Sequence, residues 1–191
     1  MSFYGLLTFC AVYALAVATP GPGVAAIIAR SLANGYRGSF AFLAGFLIGD
    51  FVWFAIAATG LAALAKTAAA VFIAIKWAGV AYLLYLAWKL WTAPAKSVAV
   101  NEEKNGQHGW RAFVASLMLT LANPKAILFF LALLPTVVDL TTMNVVTFIE
   151  ITTAIVVVQP IVLFPYVFLA ARARQLFTTP RAVRRLNRSS G

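Results

Sequence analysis

Thr19-Pro20-Gly21-Pro22-Gly23 falls inside a hydrophobic run, Phe3 to Ile28, that is otherwise long enough to cross a bilayer as one helix. Each proline removes a backbone donor and clashes with the preceding turn, at about 3 kcal/mol in an ordinary helix interior. The two glycines add conformational freedom that folding must freeze out. In hydrocarbon the freed backbone groups cannot be left to lipid, so such a break survives only inside protein or facing a polar cavity. The stretch therefore marks a broken membrane helix and a candidate binding site.

The rest of the chain is apolar enough to surround such a helix. Its 191 residues leave room for one domain, and they are 63% hydrophobic and only 10% charged. The apolar residues come in blocks above the roughly 20 needed to span a bilayer. This is the composition of a polytopic membrane protein. A single cysteine, Cys10, excludes an internal disulfide, and the single histidine, His108, lies in a loop. No clustered metal site and no cofactor are expected. Ala14-Leu15-Ala16 resembles a signal-peptidase site, yet no Lys or Arg precedes the hydrophobic segment, so an uncleaved first span is the better reading.

Five spans can be drawn: Phe3–Ile28, Ser39–Leu64, Val71–Trp91, Phe113–Leu134 and Val145–Ala170. The connections are Ala29–Gly38, Ala65–Ala70, Thr92–Ala112 and Pro135–Asn144. The third is the longest and most polar, and it divides the single transmembrane domain, 1–191, into two halves. One covers about 1–92 and the other about 113–191, with a loop of about 93–112 between them. Trp88, Trp91 and Trp110 flank this loop as interfacial anchors.

Orientation follows from the basic residues. If connections alternate sides, twelve of the fifteen Lys and Arg fall on one side; Lys66, Lys76 and Lys125 are the exceptions. The positive-inside rule puts the basic loops and tail in the cytoplasm and the N-terminus outside. The net charge of +10 thus reads as topology and as contact with anionic lipid, not as a nucleic-acid surface. In the tail, Thr179 and Pro180 can start a short helix, with Arg181, Arg184, Arg185 and Arg188 on one face. Such a helix would lie on the inner membrane surface.

Asp50 lies near the middle of the second span and Lys125 near the middle of the fourth. A charge at the bilayer centre costs about 2.5–3.5 kcal/mol on insertion scales, so such residues face the bundle interior and usually pair. An Asp50–Lys125 pair is expected, either as a structural ion pair or as one that exchanges protons or substrate. Ala41, Gly45 and Gly49 repeat at four-residue spacing before Asp50 and let another helix approach closely. Lys76 and Glu150 sit about six residues inside the outer ends of their spans, by the depth at which long side chains snorkel; a cross-helix pair is the weaker option. Pro160 and Pro165 are candidates for a hinge in the fifth span.

Asn123-Pro124-Lys125 breaks the fourth span as the first stretch breaks the first. These are the leading spans of the two halves, and three spans per half would invert one half relative to the other. Interrupted helices in matching positions of inverted halves point to a secondary-transporter site. The amides after Pro22, on Gly23, Val24 and Ala25, begin a half-helix whose positive end suits a carboxylate.

These residues resemble the lysine exporter (LysE/RhtB) family of bacterial amino-acid efflux proteins. The carriers are Thr19-Pro20-Gly21-Pro22, Gly35 with its loop, Gly45 through Gly49-Asp50, Lys76 to Gly79 with Tyr82-Leu83, and Asn123-Pro124-Lys125. The resemblance implies an all-α membrane bundle of six spans in two inverted three-helix halves. It also implies proton-driven export of small amino acids or derivatives across the cytoplasmic membrane. Leu186-Asn187-Arg188-Ser189-Ser190-Gly191 resembles the lead-in to the family's last span, which is expected to be absent from this chain. A second subunit, as in a homodimer, would then cover the groove.

The expected substrate-binding residues are Thr19, Pro20, Gly21, Pro22, Gly23, Asn123, Pro124 and Lys125, with Asp50 binding the ammonium or carrying the coupled proton. Two other readings remain open on the sequence. An intramembrane enzyme fares badly, because His108 is in a loop, Cys10 has no base beside it and Asp139 is in an outer loop. A truncated, non-transporting scaffold or inactive paralogue is kept alive by the absent last span.

Overall fold

Ser2 starts the first helix: its hydroxyl accepts from the Gly5 amide at 3.1 Å, an N-cap that opens α1 (Phe3–Ala18). The computed structural model describes residues 1–61 and 109–178, with the helical positions 70, 73–74, 77–78, 81, 84–85 and 88 between them. Most of the expected third span, including Lys76, lies outside the described residues, as do the polar loop up to His108 and the basic tail helix.

After α1 come α2 (Pro22–Ile56), a π-helical turn at Ala57–Leu61, and α3 (Trp110–Leu121). Beyond a second break stand α4 (Pro124–Leu128), a π-helical turn at Phe129–Leu133 and α5 (Leu134–Val137). A 3-10 turn at Leu140–Thr142 leads to α6 (Val145–Thr178). The architecture is all-α, with no strand among the described residues.

Both expected breaks are present. Phe3–Ala18 and Pro22–Tyr36 meet at 61°, and Trp110–Leu121 and Pro124–Val137 at 54°. Two further stretches, Ser39–Gly60 and Val145–Arg174, are long and apolar enough to cross a membrane unbroken. The protein is a membrane helix bundle.

Two sequence expectations are corrected. Ala29–Gly38 is not a loop: helix runs through it, and only Gly35 leaves helical geometry, at φ 67° and ψ −161°. That conformation is open to glycine and strained for residues with a Cβ. Around it, Ser31 and Ser39 exchange a buried hydroxyl bond of 2.8 Å. Ser39 also donates to the Gly35 carbonyl at 3.1 Å. The bend is thus stitched from both sides. The fifth span extends beyond the expected Ala170 to Thr178, and Pro160 and Pro165, the hinge candidates, lie inside this one continuous helix.

The close-packing stripe works as expected, and α3 is the helix that approaches. A Cβ on Gly45 would collide with the Ser116 hydroxyl and the Phe113 carbonyl. One on Gly49 would stand 2.6 Å from the Thr120 Cβ. The described core has two parts. One gathers Phe9, Tyr13, Phe54, Phe130 and Ile155; the other gathers Val24, Ile27, Phe46 and Leu163. Glu150 has a partner other than Lys76, which lies outside the described residues. Glu150 takes the Met1 amine at 2.9 Å, tying the start of α1 to the start of α6.

Candidate functional site

The first break is made by two pre-proline residues. Thr19 (φ −60°, ψ 127°) and Gly21 (φ −173°, ψ −177°) are both extended, the conformation a following proline imposes. Among the carbonyls at the end of α1 that thereby lose their helical donors are those of Ala18 and Thr19. Ala18 would bond the amide four residues on, but that residue is Pro22, which has none. The Tyr166 hydroxyl of α6 donates there instead, at 2.9 Å. Thr19 would bond Gly23, which the extended backbone carries away, and Lys125 Nζ donates to its carbonyl at 2.6 Å. The second break is built alike: Asn123 is extended, its side chain accepts from the Lys125 amide at 3.1 Å, and Pro124 opens α4.

The two breaks share one cavity. Gly21, Gly23 and Val24 line it from the first; Asn123 and Lys125 line it from the second; Asp50 lines it from α2. Its volume is about 80 Å³ for the centres of water-sized molecules. A single water needs only about 10–15 Å³ on that measure, so a small polar solute can be admitted. Phe46, Phe129, Phe130 and Leu163 supply much of the apolar wall.

Of the expected binding residues, Gly21, Gly23, Asn123 and Lys125 reach this cavity. Thr19 contributes its carbonyl through Lys125, while its hydroxyl turns back to the Leu15 carbonyl at 2.6 Å. Pro20, Pro22 and Pro124 shape the breaks and do not line the space. Of the three expected amides, Ala25 is already used by the Gly21 carbonyl at 2.9 Å. Gly23 and Val24 are left as donors at the mouth of α2, with no acceptor among the described residues.

Asp50 and Lys125 line the same cavity, but no ion pair joins them among the described residues. The expected direct pair is replaced by separate partners. Asp50, only 7% exposed, accepts from the Tyr13 hydroxyl at 2.7 Å and from Gln159 Nε2 at 2.8 Å, both on Oδ2. Lys125 is held by the carbonyl that the helix break released. The physical reason is supply: neutral donors lie beside the acid, and an unbonded carbonyl lies beside the base.

Tyr13 and Gln159 were not among the residues singled out by sequence. Gln159 did carry a signal, as the one amide in the apolar run Ile155–Leu163. Tyr13 carried none, standing in a chain with six tyrosines and fifteen phenylalanines. Among the described residues no group of three or more His, Cys, Asp or Glu could hold a metal ion. Asp139, outside the spans, caps the 3-10 turn; hydrogen bonds from Thr141 hold its carboxyl below the usual value.

The chain is similar to known efflux proteins over most of its length. It is 30% identical over 173 residues to the homoserine/homoserine lactone efflux protein of Salmonella typhi, covering 91% of this chain and 84% of that protein. It is 29% identical, with the same coverage, to the protein of that name from Salmonella typhimurium. An uncharacterized membrane protein of Vibrio cholerae is 32% identical over 174 residues, or 90% of this chain and 83% of the relative. No solved structure matches. The model of the LysE type translocator family matches residues 14–191, which takes in both helix breaks, Asp50 and Lys125. The chain belongs to the LysE type translocator family of amino-acid efflux proteins and is a membrane transporter, not an enzyme.

Proposed function

We propose that the chain exports small amino acids or their derivatives from the cytoplasm, coupled to proton entry across the bacterial cytoplasmic membrane. The observation that carries this is the pairing of opposite polarities in one cavity. Lys125 and the Gly23 and Val24 amides offer positive ends to a carboxylate, and Asp50 offers a negative one to an ammonium. A free amino acid carries both charges a few ångströms apart. The half-helix after Pro22 adds its dipole to the carboxylate end.

The names of the Salmonella relatives support homoserine and its lactone as first substrates to try. The single domain, 1–191, would work as two inverted halves whose leading helices carry the breaks. Twelve basic residues on one side support a cytoplasmic placement of loops and tail, against anionic lipid.

The test is L-homoserine transport in everted vesicles with an imposed proton gradient. Asp50→Asn is expected to reduce gradient-driven uptake to the background of empty vesicles, with membrane insertion unchanged. Undiminished uptake by that variant would remove Asp50 from the mechanism.

A further inference from the structure

A carboxylate can only accept hydrogen bonds, so an amide beside it must present its NH2 group. Gln159 does so, with Nε2 2.8 Å from Asp50 Oδ2. That orientation fixes where its carbonyl oxygen goes. Oε1 is buried and has no donor among the described residues, on a side chain 4% exposed that lines the cavity. The Tyr13 hydroxyl also binds Oδ2, at 2.7 Å. Two donors therefore converge on one oxygen of Asp50, and Oδ1 takes no hydrogen bond among the described residues. A buried acceptor left without a donor costs about 1–3 kcal/mol. Gln159 Oε1 is such an acceptor; with the unbonded Oδ1 of Asp50, on an adjacent group of the same cavity, it forms a site for a donor that arrives from elsewhere.

We propose that Asp50 Oδ1 and Gln159 Oε1 form one seat for a cation, occupied in turn by a proton and by the ammonium of the substrate. This rests on the exporter reading above and deepens it. With the proton bound, Oδ1–H donates to Oε1 while Nε2 still donates to Oδ2, closing a two-bond ring of acid and amide. With the substrate bound, two N–H groups of its ammonium donate to Oδ1 and Oε1. The seat carries the same net charge in both states, so one proton passes to water for each amine that enters. Competition for one seat is what ties the two flows together. Gln159 acts here as a positioning residue with Tyr13, which pins the other oxygen. Among the described residues, the titratable groups facing Asp50 across the cavity are Tyr13 from α1 and Lys125 from α4; α3 and α6 contribute Thr120 and Gln159, which do not titrate.

Two measurements on the purified chain in lipid test this. The first needs no substrate: pH-difference infrared spectra, with the carboxylic-acid carbonyl band of Asp50 identified by its loss in Asp50→Asn. Gln159→Leu is expected to shift that band to higher frequency, as an acid without an acceptor for its proton. Gln159→Met, closer in length, serves if Leu disturbs packing.

The second measures binding of L-homoserine, homoserine lactone and N-acetyl-L-homoserine against pH. The two amines are expected to bind less tightly on acidification, by up to about tenfold per pH unit for one competing proton. They should also bind about tenfold more weakly to Gln159→Leu, the loss of about one hydrogen bond. The acetylated compound, which lacks the cation, should not bind. An unmoved band in both Gln159 variants, or amine binding indifferent to pH, overturns the shared seat even where efflux is intact. A shifted band with neither amine bound at any pH overturns the exporter reading and the ammonium half of the seat, leaving the proton half in place.

Discussion

Oδ2 of Asp50 is held by a phenol and an amide, and the phenol is the simpler of the two to remove. Tyr13→Phe keeps the ring in its stack with Phe9 and deletes only the 2.7 Å bond. A hydrogen bond to a charged group contributes about 1.5–3 kcal/mol, and the loss is expected within that range, read as a lower thermal midpoint in detergent. A midpoint equal to that of the parent would mean that Gln159 alone secures the oxygen. Asp50 and Lys125 were legible in the sequence, because a charge at mid-bilayer is costly enough to stand out. Their partners were not. Depth along a helix says nothing of the direction a side chain takes around it, so matching depths suggested a direct contact where this structure has the two groups lining one cavity on separate partners.

At the scale of elements, the two breaks could be read in advance, and the proline pair of α6 makes no such break. In Thr19-Pro20-Gly21-Pro22 two alternate residues precede a proline, and both are forced out of helical geometry. Pro160 and Pro165 stand five apart, and α6 carries through each. The stripe of small residues was legible, but the helix it admits was not. Here two glycines differ in a way a stability assay can separate. The three atoms nearest a Cβ on Gly49 all belong to the Thr120 side chain, whereas those nearest one on Gly45 include the Phe113 carbonyl as well as Ser116. Gly49→Ala and Gly45→Ala are each expected to cost about 1–3 kcal/mol by overpacking. Adding Thr120→Gly should restore much of the first loss. Adding Ser116→Gly should not restore the second, because a backbone oxygen cannot be trimmed. Equal rescue in the two double variants would show that α3 shifts freely along α2.

Over the whole molecule, the contacts at the two ends fix the sense of the chain. The Met1 amine meets Glu150 at one end, and the Gly35 bend lies beside Arg174 at the other. This agrees with an odd number of crossings between the first span and α6, the three drawn from hydropathy and basic residues. In a Cys10→Ala background, Ser2→Cys and Asn144→Cys are expected to react with a membrane-impermeant thiol reagent from one side, and Arg174→Cys from the other. Labelling of all three from one side would break the alternation. The severed end of α1 sits inside this frame, gripped by Lys125 and Tyr166 through the carbonyls of Thr19 and Ala18. Both grips close on main-chain oxygen, which every amino acid supplies. Replacing the side chain at 18 or 19 leaves the anchor point in place, so each tether has a single heritable end, and the constraint in this region falls on positions 125 and 166.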